Sequence, residues 1–248
     1  MPVTALGLLL SSVVFLGFCA PAPASRLPDA RPADFEIAYS KGGGMVPYGD
    51  GLRLSAAGGT YTLFNHGIQI RVDFAVRPDD LDRFYRLLKE NRFDRIETEN
   101  QKVYDRGGTS LQVTAAGQVY NVADSGMSFV KEPWRKQFDA VASALEAFAH
   151  GTGRGDGVEA AFAWDESLYF KHPQISLDAG DAFLGAADDG SESKNVRLRF
   201  AARRTYEVAI ELDASGAAPV KQTVAFDLAK AKTLRFRFAD NRVIAVAE

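Results

Sequence analysis

Three histidines, one serine-bearing loop, two acidic runs and two arginine-bearing strands are the groups in this chain best suited to chemistry. His66, His150 and His172 stand apart, with no histidine four residues on and no cysteine nearby. Zinc sites need paired ligands at fixed spacing, so no metal centre is expected. Asp124-Ser125-Gly126-Met127-Ser128 offers hydroxyls beside a strand end. It lacks the Gly-x-Ser-x-Gly elbow that presents a serine to a base, and it reads as a loop leading into a helix. Asp79-Asp80 is better explained by capping at the positive end of a helix dipole. Asp188-Asp189-Gly190-Ser191-Glu192 clusters oxygens but lacks the alternating ligand order of a calcium loop, so a solvated hairpin tip is expected. The expectation is therefore no catalytic residue, no metal and no cofactor. A carboxylate pair assembled by the fold is invisible in one sequence, which leaves a hydrolase-like enzyme as the alternative.

Two patterns point to binding instead. Gly42-Gly43-Gly44-Met45-Val46 follows an apolar strand, and glycine there permits positive φ or a close approach of backbone to a partner. A wide hairpin turn explains the same residues. In Val196-Arg197-Leu198-Arg199-Phe200 and Leu234-Arg235-Phe236-Arg237-Phe238 arginine alternates with apolar residues. Strand geometry sends Arg197, Arg199, Arg235 and Arg237 outward, and in one sheet they would form a basic stripe for phosphate or carboxylate groups. The competing reading is a solvated face compensated by Glu207, Glu211 and Asp213.

The elements that position these residues follow from periodicity. Phe35, Ile37 and Tyr39 alternate as a strand, and Ile68, Ile70, Val72, Phe74 and Val76 give the strongest alternation in the chain. Pro78 opens a helix whose Leu81, Phe84, Tyr85 and Leu88 share one face. Leu111, Val113, Val119 and Val122 flank Ala116-Gly117 as a hairpin, and a second helix begins near Pro133. Residues 34–150 thus read as an α+β domain, an antiparallel sheet carrying two helices. Four glycines in 151–157 read as a linker. Short alternating stretches in 158–248, beginning with 168–170, read as an Ig-like β-sandwich domain, with a small barrel as the competing form.

Composition narrows the class of function. The chain has 248 residues and a formal net charge of -3, which lacks the positive excess that nucleic-acid binding requires. Residues 6–20 are almost wholly apolar, too short for the roughly 20 residues of a membrane span and suited to the core of a signal peptide. Ala22-Pro23-Ala24 supplies a cleavage site before Ser25, so 1–24 reads as a signal peptide and 25–33 as a disordered tether. A periplasmic or secreted protein is expected. Membrane association enters only if Cys19, the sole cysteine, is lipidated or the apolar run stays uncleaved.

Over residues 35–148 the chain resembles the small emfourin-type inhibitors of thermolysin-like metalloproteases and related exported bacterial domains. The resemblance is carried by Ser40-Lys41-Gly42-Gly43-Gly44-Met45, by the helix with Leu81, Phe84, Leu87, Leu88 and Phe93, and by the hairpin Ser110-Leu111-Gln112-Val113 with Gln118-Val119-Tyr120-Asn121. It implies a non-catalytic binding protein whose glycine loop faces a protein partner, a metalloprotease. A passive structural role in the envelope is the third reading.

Overall fold

The computed structural model describes residues 27–44, 48–169, 171–187, 194–212, 220–240 and 242–248. The alternating stretches of the first half form a four-strand meander: β1 (Glu36–Gly43), β2 (Tyr48–Ser55), β3 (Gly58–Asn65) and β4 (Ile68–Phe74). Helix α1 (Pro78–Glu90) follows, with Pro78 in its first turn and Leu81, Phe84, Tyr85 and Leu88 buried, as the spacing predicts. Then come β5 (Thr98–Glu99), the hairpin β6 (Gly107–Ala115) and β7 (Gln118–Asp124), β8 (Phe129–Val130) and α2 (Arg135–Ala149). The second half adds β9 (Val158–Trp164), β10 (Gln174–Gly180), β11 (Phe183–Ala186) and β12 (Asn195–Phe200). It ends with β13 (Thr205–Leu212), β14 (Val220–Asp227), β15 (Thr233–Ala239) and β16 (Arg242–Ala247). Strands dominate, and α1 and α2 are the two α-helices among the described residues.

The strands of the second half do not close into a sandwich of their own. β10, β13 and β14 extend the first-half sheet into nine strands, ordered β14-β13-β10-β4-β3-β2-β1-β6-β7. The joint is a parallel pairing of β10 with β4, in which Ile175 lies beside Ile70 and Leu177 beside Val72. The other five strands form a second sheet, β11-β12-β9-β15-β16. It packs on the larger sheet through aromatic contacts such as Phe162–Phe226, with ring centroids 5.9 Å apart. Phe183 of the second sheet meets Phe74 at 5.1 Å and Tyr61 at 5.8 Å, so one apolar cluster spans both halves. Both β10 and β4 are apolar on the same face, and pairing them lets that face continue.

The run at 151–157, expected as a linker between two domains, accordingly joins parts of one continuous core. Gly151 (φ +64°) caps α2. Its N–H donates to the Phe148 carbonyl at 3.0 Å and the Thr152 N–H donates to the Ala147 carbonyl at 2.8 Å, the two bonds of a Schellman ending. The Arg154 guanidinium folds back over the Phe148 ring, 4.3 Å from its centroid. Burial lowers the Arg154 pKa, against the partial compensation of Asp80.

The expected tether also differs from Leu27 onward. Leu27 is 5% exposed, Tyr85 Oη donates to the Pro28 carbonyl at 2.7 Å, and Lys89 Nζ reaches Asp29 at 2.7 Å. α1 offers donors and an apolar patch that this segment can satisfy, so it packs. Where a strand is expected from 168, Leu168 instead ends a short 3-10 turn, Glu166–Leu168, started by the Asp165 carboxylate accepting the Ser167 N–H at 2.9 Å, and residue 170 lies outside the described residues. The expected signal segment at 1–24 lies outside the described residues.

Candidate binding groove

The glycine run does not end β1; it extends it. Gly42 pairs with Gly49 on β2 and Gly108 on β6, and Gly43 pairs with Gly107. At this end three neighbouring strands present bare backbone. Gly42 and Gly43 take φ of +149° and +84°, conformations that L side chains rarely adopt. A Cβ on Gly42 would sit 2.7 Å from Gly49 Cα and from the Tyr48 carbonyl oxygen. The chain approaches too closely here to carry any side chain. Met45 and Val46 lie outside the described residues.

This bare floor opens into a groove of about 810 Å³. Strand alternation directs Ser40, Thr62 and Ser110 to the same outer face, where they supply hydroxyls. Phe64 projects from β3, and the segments at 102–106 and 125–127 form the opposite wall. Four large apolar side chains stand open here: Tyr104 is 74% exposed, Met127 63%, Val103 44% and Phe64 41%. Among the described residues only Val119, Val220 and Val246 are comparably large, apolar and exposed, and none of them lines the groove. Lys102 Nζ lies 4.8 Å from the centre of the Tyr104 ring.

One carboxylate holds the wall together. Asp124 Oδ2 accepts from Arg106 Nη2 at 2.9 Å and from Arg135 Nη1 at 2.6 Å. Arg106 Nη1 also donates to the Ser125 carbonyl at 3.3 Å, and its guanidinium covers the Phe129 ring at 4.1 Å. Burial pushes the Asp124 carboxyl up, but the Arg135 hydrogen bond and the charges of Arg135 and Arg106 outweigh it, leaving its pKa below the ordinary value. The Val103 N–H donates to the Gly126 carbonyl at 2.8 Å, tying the two wall segments to each other.

On the opposite, helix-covered face of the same strands lies a polar group of another kind. Asp50 on β2 is buried, with His150 Nε2 3.4 Å from its Oδ2. Tyr39 neighbours them, and burial together with the charges of Asp50 and Glu146 drives its hydroxyl pKa well above the ordinary value. Lys41 pairs with Glu146 on α2. An acid and a histidine do meet, but the Asp50 side chain has no exposed surface and faces away from the groove.

The other expected residues fall as follows. Arg197 and Arg199 on β12 and Arg235 and Arg237 on β15 do share the outer face of one sheet, with β9 between them. Most of that charge is answered internally. Arg197 meets Glu159 at 3.4 Å, Arg235 meets Glu248 at 3.1 Å, and Arg199 donates to the His150 carbonyl. Arg237 remains exposed. His66 stacks on Tyr169 at 5.0 Å, and His172 packs beside Gly67. Ser125 and Ser128 close a tight turn, Ser125 N–H donating to the Ser128 carbonyl at 2.7 Å. The acidic run at 188–192 lies outside the described residues, and no cluster of three metal-ligating side chains occurs among those described.

The glycines mark unusual backbone in the sequence, whereas the apolar rim leaves no such mark. Phe64 was legible as an aromatic at an outward position, between the inward Leu63 and Asn65. Val103-Tyr104 sits in a stretch without periodicity, where nothing marks an apolar pair as exposed. No family model, curated protein or solved structure matches the chain. No helix among the described residues is long and apolar enough to cross a membrane.

Proposed function

We propose that this chain is an exported, non-catalytic binding protein that receives a protein partner in the groove at the glycine-bearing end of β1, β2 and β6. The observation that carries the reading is the clustering of Phe64, Val103, Tyr104 and Met127 around one floor of bare backbone. Exposed aromatic and methionine side chains concentrated in a concave patch are what a partner's side chains desolvate on binding. The glycines let the partner's chain lie directly on the sheet. The resemblance to emfourin-type inhibitors names the partner class: a thermolysin-like metalloprotease, met outside the cytoplasm.

The test is a titration of a purified thermolysin-like metalloprotease with the protein, reading both peptide hydrolysis and binding heat. The proposal expects saturable inhibition that Phe64→Asp and Tyr104→Asp each weaken by about two orders of magnitude, the loss typical of a central aromatic contact. Neither side chain belongs to the buried core, so circular dichroism of both variants stays that of the wild type. Absence of heat and of inhibition across several such proteases would overturn the assignment of partner. Inhibition unchanged by both substitutions would overturn the assignment of the groove.

A further inference from the structure

The end strand β7 is flanked at its Asp124 end by β8 and β5, and the rest of its edge lacks the usual protection. Exposed edges present unpaired N–H and C=O groups, and proteins guard them with charge, bulges or cover. The other three edges of the two large sheets are guarded. β14 carries Lys221, paired with Glu211 at 3.0 Å. β11 is short and covered, a Cβ on its Gly185 lying 2.3 Å from Gly151 N and 2.7 Å from the Ala149 carbonyl oxygen. β16 is flanked by Arg242 and Glu248 and packs against β13 and β14. From Gln118 to Ala123, β7 carries no charge, no proline and no bulge, and it pairs with β6 in unbroken register.

The hairpin fixes which groups face out. Ala116 (φ +52°) and Gly117 (φ +74°) make a two-residue turn of the mirror type, closed by Ala115 opposite Gln118. The Asp34 carboxylate pins that turn, accepting the Ala116 N–H at 2.8 Å and the Gly117 N–H at 2.7 Å. The closing pair of such a turn exchanges both its bonds, so Gln118, Tyr120 and Val122 spend their backbone groups on β6. Val119, Asn121 and Ala123 aim theirs outward.

We propose that β7 is a self-association edge, through which two copies of the chain pair antiparallel about a two-fold axis at Asn121. A strand pairing with its own copy is self-complementary only if no like charges fall opposite each other, and β7 meets that condition. In this register Val119 faces Ala123 of the second copy, Tyr120 faces Val122, and Asn121 faces itself. About six backbone hydrogen bonds form across the seam. Val119, 55% exposed in the single chain, is covered there. The groove lies beyond the Asp124 end of β7, so the pairing is independent of the binding reading.

Sedimentation equilibrium of the whole protein from micromolar to near-millimolar concentration tests this. The wild type is expected to rise from monomer toward twice its mass. Asn121→Pro removes one outward N–H without touching a bond to β6, a position where an edge strand tolerates proline. Asn121→Lys sets two ammonium groups against each other on the axis. Each variant is expected to weaken the dimer at least roughly tenfold, and the lysine variant serves where the proline variant fails to fold. A wild type that stays monomeric throughout, or a folded variant that dimerises as the wild type does, overturns the proposal.

Discussion

The groove and the arginine-bearing face of the five-stranded sheet both expose side chains that globular proteins tend to pair or bury, but only one of them answers its own exposure. On the arginine face, Glu159, Glu248 and the carbonyl of His150 meet three of the four guanidinium groups. In the groove, Phe64, Val103, Tyr104 and Met127 stay largely exposed, while the segments that carry the last three are tied to the sheet through Asp124 and Arg106. A charge compensated within the chain has little left for a partner. Apolar surface fixed in place and left uncovered retains its full desolvation free energy for one. That difference, more than residue type, separates the two candidates.

The largest effect is expected at the groove floor. Gly42→Ala drives a Cβ into the backbone of β2 and should cost about 2–4 kcal/mol in urea unfolding. A loss below about 0.5 kcal/mol would mean that the floor spreads and is not tightly closed. At the rim, Tyr104→Asp should weaken binding about 100-fold, some 2.7 kcal/mol, and shift the melting temperature by no more than about 2 °C. The same change at Arg237, by contrast, should alter binding less than about twofold.

The wall gives an effect of intermediate size. Asp124→Asn removes the charge that Arg106 and Arg135 share, for a loss of about 1–3 kcal/mol at neutral pH by urea denaturation. Because the folded-state pKa of Asp124 is lowered, its stabilisation is complete above the unfolded value and disappears as pH falls through the folded one. The gap between wild type and variant should therefore begin to close below about pH 4 and vanish only below the lowered folded-state pKa, and parallel acid unfolding curves would break the account of the wall. The smallest effect belongs to the arginine face. Arg235→Ala breaks an exposed pair and should cost no more than about 0.5 kcal/mol by the same denaturation.

What the sequence made legible was local. Strict alternation located β4, the i, i+3, i+4, i+7 spacing of Leu81, Phe84, Tyr85 and Leu88 located α1, and Ala116-Gly117 located the hairpin turn. Alternation sends the four arginines outward, but that β12 and β15 share one sheet comes only from the fold. The glycines at 151–157 suggest a partition into two separate domains, but they serve instead to end α2 and to let Arg154 fold onto Phe148. Nothing in the residues of β10 announces a parallel partner a hundred residues away, because an apolar alternating strand suits any sheet edge of matching face. The site was half legible for the same reason. Three consecutive glycines signal unusual backbone, but the rim combines β3, the segment at 102–106 and the turn at 125–127, which only the fold brings together.

The measurement that bears most directly on the central claim is hydrogen–deuterium exchange of the protein, alone and saturated with an inactivated thermolysin-like metalloprotease. The account predicts slowed exchange in residues 102–106 and 125–127, with β12 and β15 unchanged. Protection confined to β12 and β15, or none in the two wall segments of a demonstrably bound complex, would contradict it.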